Sequence, residues 1–111
     1  MKFGALYSYW GHEWQCDYEE TAKRMAKCGC DIIEVGAPHL VEMGDGELQH
    51  LKNVCEALGM TITSNIGPAK EYDLSSVDPE VRAAGVKYLT DILRAMDKIN
   101  SRSLVGAMYS Y

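Results

Sequence analysis

Residues 26–37, AKCGCDIIEVGA, decide the fold. A helical run ends inside this stretch, and Gly29 supplies a left-handed stop. With only Cys30 between, residues 31–35 (DIIEV) then read as a β-strand. A turn this tight from helix to strand is the mark of a βα repeat, and the rest of the chain keeps the pattern. Upstream, Tyr18, Ala22, Met25 and Ala26 recur at helical spacing, and Asp17 with Glu20 forms a D-x-x-E variant of the capping box. Further upstream, residues 3–8 are a short apolar run and read as the first strand. Downstream, a helix is expected over about 46–58, with Leu48, Leu51, Cys55 and Leu58 as its stripe and Gly59 as its stop. Residues 60–65 (MTITSN) alternate β-branched side chains and give a third strand. Asp78 as N-cap, Pro79 at N1 and Glu80 in the first turn start a third helix. Its apolar face is Val81, Ala84, Tyr88, Ile92, Ala95, Met96 and Ile99, and residues 103–108 form a fourth strand.

The order β-α-β-α-β-α-β implies a parallel sheet with right-handed crossovers. The connections are asymmetric. Those after strands (9–16, 36–45 and 66–77) are long, and those after helices are short. Ligands of parallel α/β folds sit at the carboxyl ends of the strands, where the long connections lie. Four such strands make half of an eight-stranded barrel or a small open sheet. The first βα turn, YSYWGHEW, has a single glycine, which disfavours a dinucleotide-binding sheet. GDGELQ at 44–49 offers G-x-G at a helix start but lacks the third glycine.

At 111 residues the chain suits one domain, and an apolar fraction of 47% is ample for a core. A formal charge of −5 with no basic stripe argues against nucleic acid or an anionic membrane as partner. No apolar run approaches the roughly 20 residues of a membrane helix. The N-terminus lacks a signal-peptide h-region, so a cytoplasmic location is expected. Cys28 and Cys30 form C-x-C, and no second pair stands at zinc-site spacing; the four cysteines read as thiols.

Aromatic groups gather after two strands: Tyr7, Tyr9, Trp10 and Trp14 after the first, Tyr109 and Tyr111 after the fourth. Rings at the mouth of a parallel sheet can wall a small polyhydroxylated ligand. They can equally plug a loop. His12 and Glu13 lack a third ligand nearby, His39 and His50 have no partner at metal-binding spacing, and Glu34 either faces the mouth or is a solvated rim charge. Gly67 follows the third strand directly, where a backbone can approach a ligand closely.

Five stretches together, MKFGALYSYWGHEW, AKCGCDIIEVGA, TSNIGPAKEYDLSS, DPEVRAAG and VGAMYSY, resemble the N-terminal part of the ketose 3-epimerase family, the D-tagatose and D-psicose (D-allulose) 3-epimerases of the xylose-isomerase-like barrels. The resemblance implies an α/β fold, the first half of a (β/α)8 barrel, with residues 1–111 a single partial domain. It also implies C3 epimerisation of a free ketohexose through an enediolate, assisted by a divalent metal, manganese or else magnesium or cobalt. The metal ligands and catalytic glutamates belong to later strands, so no catalytic and no metal-binding residue is assigned within these residues. Substrate-lining positions carry over to Leu6, Trp14, Gly67 and Ala107; at Leu6 the family has a tyrosine, so direct sugar contact there is weakened. A homo-oligomer, or association with a missing C-terminal half, is expected. Ile33, Val35, Ile62 and Val105 are expected on the inner face, left partly wet. Two alternatives stand beside this reading: another barrel enzyme of the superfamily (a sugar isomerase or a metal-dependent endonuclease), and a non-catalytic α/β module that binds a sugar or a partner.

Overall fold

The computed structural model describes residues 1–111. Strand β1 (Gly4–Leu6) leads to helix α1 (Tyr18–Lys27), then β2 (Ile32–Gly36), α2 (Ala37–Glu42), α3 (Asp45–Ala57), β3 (Thr61–Ile66), α4 (Pro79–Lys98) and β4 (Leu104–Gly106), with one 3-10 turn at Lys70–Tyr72. The four strands are all parallel and stand in the order β1-β2-β3-β4. Because each strand adds to the same edge and each crossover is right-handed, the helices collect on one face. There α1 packs on α3 and α3 on α4. The other face is bare.

Three of the helix ends are built alike. Gly29, Gly59 and Asn100 have positive φ. In each, the next residue's N–H returns to a carbonyl five residues back: Cys30 to Met25, Met60 to Cys55 and Ser101 to Met96, at 2.9–3.0 Å. These are Schellman turns, and they make the amino-terminal rim of the sheet tight. Helix starts follow the expected chemistry. Asp17 accepts from the Glu20 N–H at 3.0 Å and Asp78 from the Glu80 N–H at 2.8 Å. Only the Asp17 half of the capping box forms.

Two expectations are corrected. The connection 36–45 is not a loop: it contains α2, which Pro38 opens from the first turn, where its missing N–H costs nothing. Gly36 two residues before Pro38 reads as loop chemistry only if that role of proline is overlooked. The second correction concerns which side chains face outward. Ile33 and Val35 are fully buried and Ile62 nearly so, all three beneath the helices. Alternation along the strands therefore puts the rows Leu6–Glu34–Thr63 and Gly36–Asn65–Val105 on the bare face. Of the residues named in advance for that face, Val105 alone lies on it, and it is 43% exposed. Strands β1 and β4 are also shorter than read, because Tyr9 N–H bonds back to Leu6 O and Met108 N–H to Gly106 O, turning the chain out of the sheet.

Candidate functional site

The carboxyl ends of the strands carry a cavity of about 380 Å³. It is lined by Tyr7 after β1, Trp14 in the β1–α1 loop, Gly36, Pro38 and His39 at the β2–α2 junction, and Asn65 and Gly67 at the end of β3. A ring-lined wall with a few polar atoms at this end of a parallel sheet suits a small polar ligand.

Its polar atoms are held by specific bonds. On the bare face the Asn65 side-chain amide donates to Glu34 Oε1 at 3.0 Å, across the β2–β3 pair. Glu34 is therefore half-buried and hydrogen-bonded, neither a free base nor a solvated rim charge. Behind the cavity, Tyr18 at the start of α1 is a node. The Gly36 N–H donates to the Tyr18 oxygen at 3.0 Å, and Tyr18 stands 2.6 Å from His39 Nδ1. Burial pushes the Tyr18 hydroxyl well above the usual phenol range, so it keeps its proton. Tyr7 lies between, with its ring centroid 5.5 Å from Tyr18 and 5.3 Å from His39. Its hydroxyl donates at 3.4 Å to the Trp14 carbonyl, which ties the loop to the sheet. The site is tight at Gly36: a Cβ would stand 3.2 Å from the side chains of both Tyr7 and His39.

The aromatic cluster is thus divided. Tyr7 is buried and structural, and Trp14 projects at the cavity, 72% exposed. Trp10 turns to α1, where the Arg24 guanidinium lies 4.4 Å over its ring, with Tyr9 packed against its edge. Of the four residues expected to line a sugar, Trp14 and Gly67 meet at this cavity. Leu6 sits one row deeper on the bare face, beside Glu34, and Ala107 is exposed just past β4; neither lines the cavity. Sequence reasoning missed Tyr18, counted only as helix core, and His39, set aside as unpartnered. Their pairing spans 21 residues and depends on α2, whose Pro38 was the available signal.

No group of three or more His, Cys, Asp or Glu side chains is placed to hold a metal ion. The nearest donors to the cavity are already engaged, Glu34 by Asn65 and His39 by Tyr18. The residues of this chain do not by themselves fit the divalent metal that the family resemblance implies. Burial pushes the Cys16 thiol up and takes Cys55 to about 11, so neither of these two stands as a ready thiolate. No helix is long and apolar enough to cross a membrane.

No family model matches the chain. Among curated proteins, it is 40% identical over all of its 111 residues to D-psicose 3-epimerase of Agrobacterium fabrum and 38% identical to that of Ruminiclostridium cellulolyticum. It spans 38% of the length of each. The whole chain also superimposes on a solved D-psicose 3-epimerase in the presence of D-fructose, with a TM-score of 0.96 at 40% identity. With the Clostridium cellulolyticum H10 enzyme bearing D-tagatose, the TM-score is 0.97 at 38% identity. In both structures it covers 38% of the solved chain.

Proposed function

We propose that this chain is the N-terminal, substrate-walling half of a ketose 3-epimerase barrel, residues 1–111 forming one partial domain of it. The observation that carries the reading is the cavity at the carboxyl ends of a sheet whose helices all lie on one side. A sheet wound in one direction leaves its other face for further strands. Its carboxyl-terminal mouth is where such barrels bind. The similarity to D-psicose 3-epimerases supplies the substrate class, a free ketohexose such as D-fructose or D-psicose. In this reading Trp14 stacks on the sugar's C–H face, Gly67 presents backbone to it, and Leu6 on β1 and Ala107 just past β4 approach it from outside this cavity. The abstraction and return of the C3 proton falls to carboxylates outside these residues, as does any divalent metal, manganese in the family pattern. Four free thiols accord with a reducing, cytoplasmic compartment.

The test is conversion of D-fructose to D-psicose by the whole protein, with a divalent metal and then with chelator. Metal-dependent conversion is expected, and failure to convert any ketohexose contradicts the reading. A sharper probe is Leu6→Tyr. Leu6 is half-buried on the bare face, a place where a phenol could reach the sugar. One added hydrogen bond is worth about 0.5–1.5 kcal/mol. A KM lowered several-fold for at least one six-carbon ketose is expected, and unchanged constants for every ketose would remove residue 6 from the site.

A further inference from the structure

We propose that Arg24 of α1 is a positioning residue for the ketose site: it latches the β1–α1 loop through Trp10, and so keeps Trp14 at the cavity before the sugar arrives. The inference rests on the ketose reading above and adds to it the residue that readies one wall.

Little else holds this loop. After Leu6 the chain turns twice, with the Tyr9 N–H on Leu6 O and the Gly11 N–H on Ser8 O, both at 3.0 Å. Beyond Gly11 the regular bonding stops. Residues 12–16 neither donate nor accept a backbone–backbone hydrogen bond, and His12, Glu13, Trp14 and Gln15 are all exposed. Order resumes at Asp17, which caps α1. The loop also stands off the helix behind it. A cavity of about 220 Å³ lies between them, lined from the loop by Trp10, Gly11 and Gln15 and from α1 by Glu20, Thr21 and Arg24.

Two side-chain contacts anchor the loop, one on each side of residues 11–13. The first is the Tyr7 hydroxyl on the Trp14 carbonyl at 3.4 Å. That is long for an O–H···O bond, whose usual range ends near about 3.0 Å, so it is weak. The second is Trp10. Its ring is half-buried, the Tyr9 ring meets it edge-on at 5.2 Å, and the Arg24 guanidinium lies 4.4 Å over it. A cation at that distance is attracted by the π face. The neighbouring Lys23 pairs with Glu19 at 2.7 Å, whereas Arg24 makes no ion pair. With no carboxylate to compete, the ring sets the place of the guanidinium.

The consequence is preorganisation. Trp14 lines the strand-end cavity although it is 72% exposed and has little packed around it. Trp10 and Trp14 are four residues apart on one loop, so pinning the first restricts the second. Where the loop leaves α1, some molecules hold Trp14 away from the cavity, and apparent affinity falls with the fraction that stays competent.

Arg24 is exposed on α1, so Arg24→Ala removes the latch and leaves the core untouched. In the whole protein it should raise KM for D-fructose roughly two- to fivefold, the equilibrium equivalent of one cation–π contact, with kcat changed less. Trp10→Leu should raise KM in the same direction. In a Trp14→Ala background Arg24→Ala should raise KM no further, because the ring it positions is gone. An Arg24 that only supports the fold would raise KM equally in both backgrounds. An unaltered KM in Arg24→Ala or in Trp10→Leu, or an equal rise with and without Trp14, overturns the proposal and leaves the epimerase reading intact. Absence of ketose turnover in the wild type, or a KM indifferent to Trp14→Ala, instead strikes the reading of Trp14 at the sugar and the role of Arg24 with it.

Discussion

Supplied with D-fructose and manganese, the 111-residue chain alone is expected to yield no D-psicose. Mixed with the remainder of a D-psicose 3-epimerase, it should regain conversion. This is the largest effect the structure foresees, because it is all or none. What the chain holds is a cavity lined by Trp14, His39, Asn65 and Gly67, all at one end of a four-stranded sheet. What epimerisation also needs is a base and an acid on opposite faces of the sugar carbon. The one carboxylate on the bare face, Glu34, is tied to Asn65 at 3.0 Å and has no second carboxylate opposite it. Chromatographic separation of the two ketoses after long incubation is the measurement. Turnover by the chain alone, free of longer polypeptide, would place a complete acid–base pair within these residues.

The second large effect is expected at Gly106. Its φ of 122° lies where L side chains are rarely found, and an added Cβ would stand 2.0 Å from the Ile66 carbonyl oxygen. Ile66 and Gly106 are register partners at the end of the β3–β4 pair, so neither backbone can yield without opening the ladder. Backbone strain of this kind costs about 1–3 kcal/mol, and overpacking adds roughly 1–3 more. In the whole protein, Gly106→Ala should therefore lower the melting temperature by on the order of 5–10 °C and weaken β4 first. Gly46→Ala is the control: nothing lies within 4 Å of the added carbon and φ is not positive. Within α3 it should leave the melting temperature unchanged or raise it slightly. A Gly106→Ala chain that melts with the parent would show that the close approach to Ile66 does not constrain β4.

The parts of the fold legible in the sequence are those governed by local chemistry. Asp17, Asp78 and Pro79 announce helix starts, and Gly29 and Gly59 announce Schellman ends; all act through neighbours within a turn or so. Asn100 does the same work as those glycines at the end of α4, but asparagine tolerates many settings and gives no comparable signal. DIIEV is legible as a strand. Which of its faces meets the helices is not, since Ile33 and Val35 on one face could line either the helix side or the inside of a barrel, and only the crossover hand decides. At the site, Trp14 and Gly67 could be placed because each stands directly in a βα loop. The Tyr18–His39 pair and the Asn65–Glu34 bond join residues on different elements. Such contacts exist only after the sheet has set its register.

The state of the isolated chain in solution tests the account most directly. A sheet wound in one direction leaves one face bare, and β1 and β4 each keep an unpaired edge, a template for association. Phe3, Val105 and Tyr109, exposed by 63%, 43% and 75%, lie on or beside those edges. Sedimentation velocity at micromolar concentration should show the chain pairing with itself or aggregating. It should convert to a defined complex when the remainder of a D-psicose 3-epimerase is added. A monodisperse 12.4 kDa species that melts cooperatively and ignores the added remainder would contradict the half-barrel account and favour a self-sufficient α/β domain.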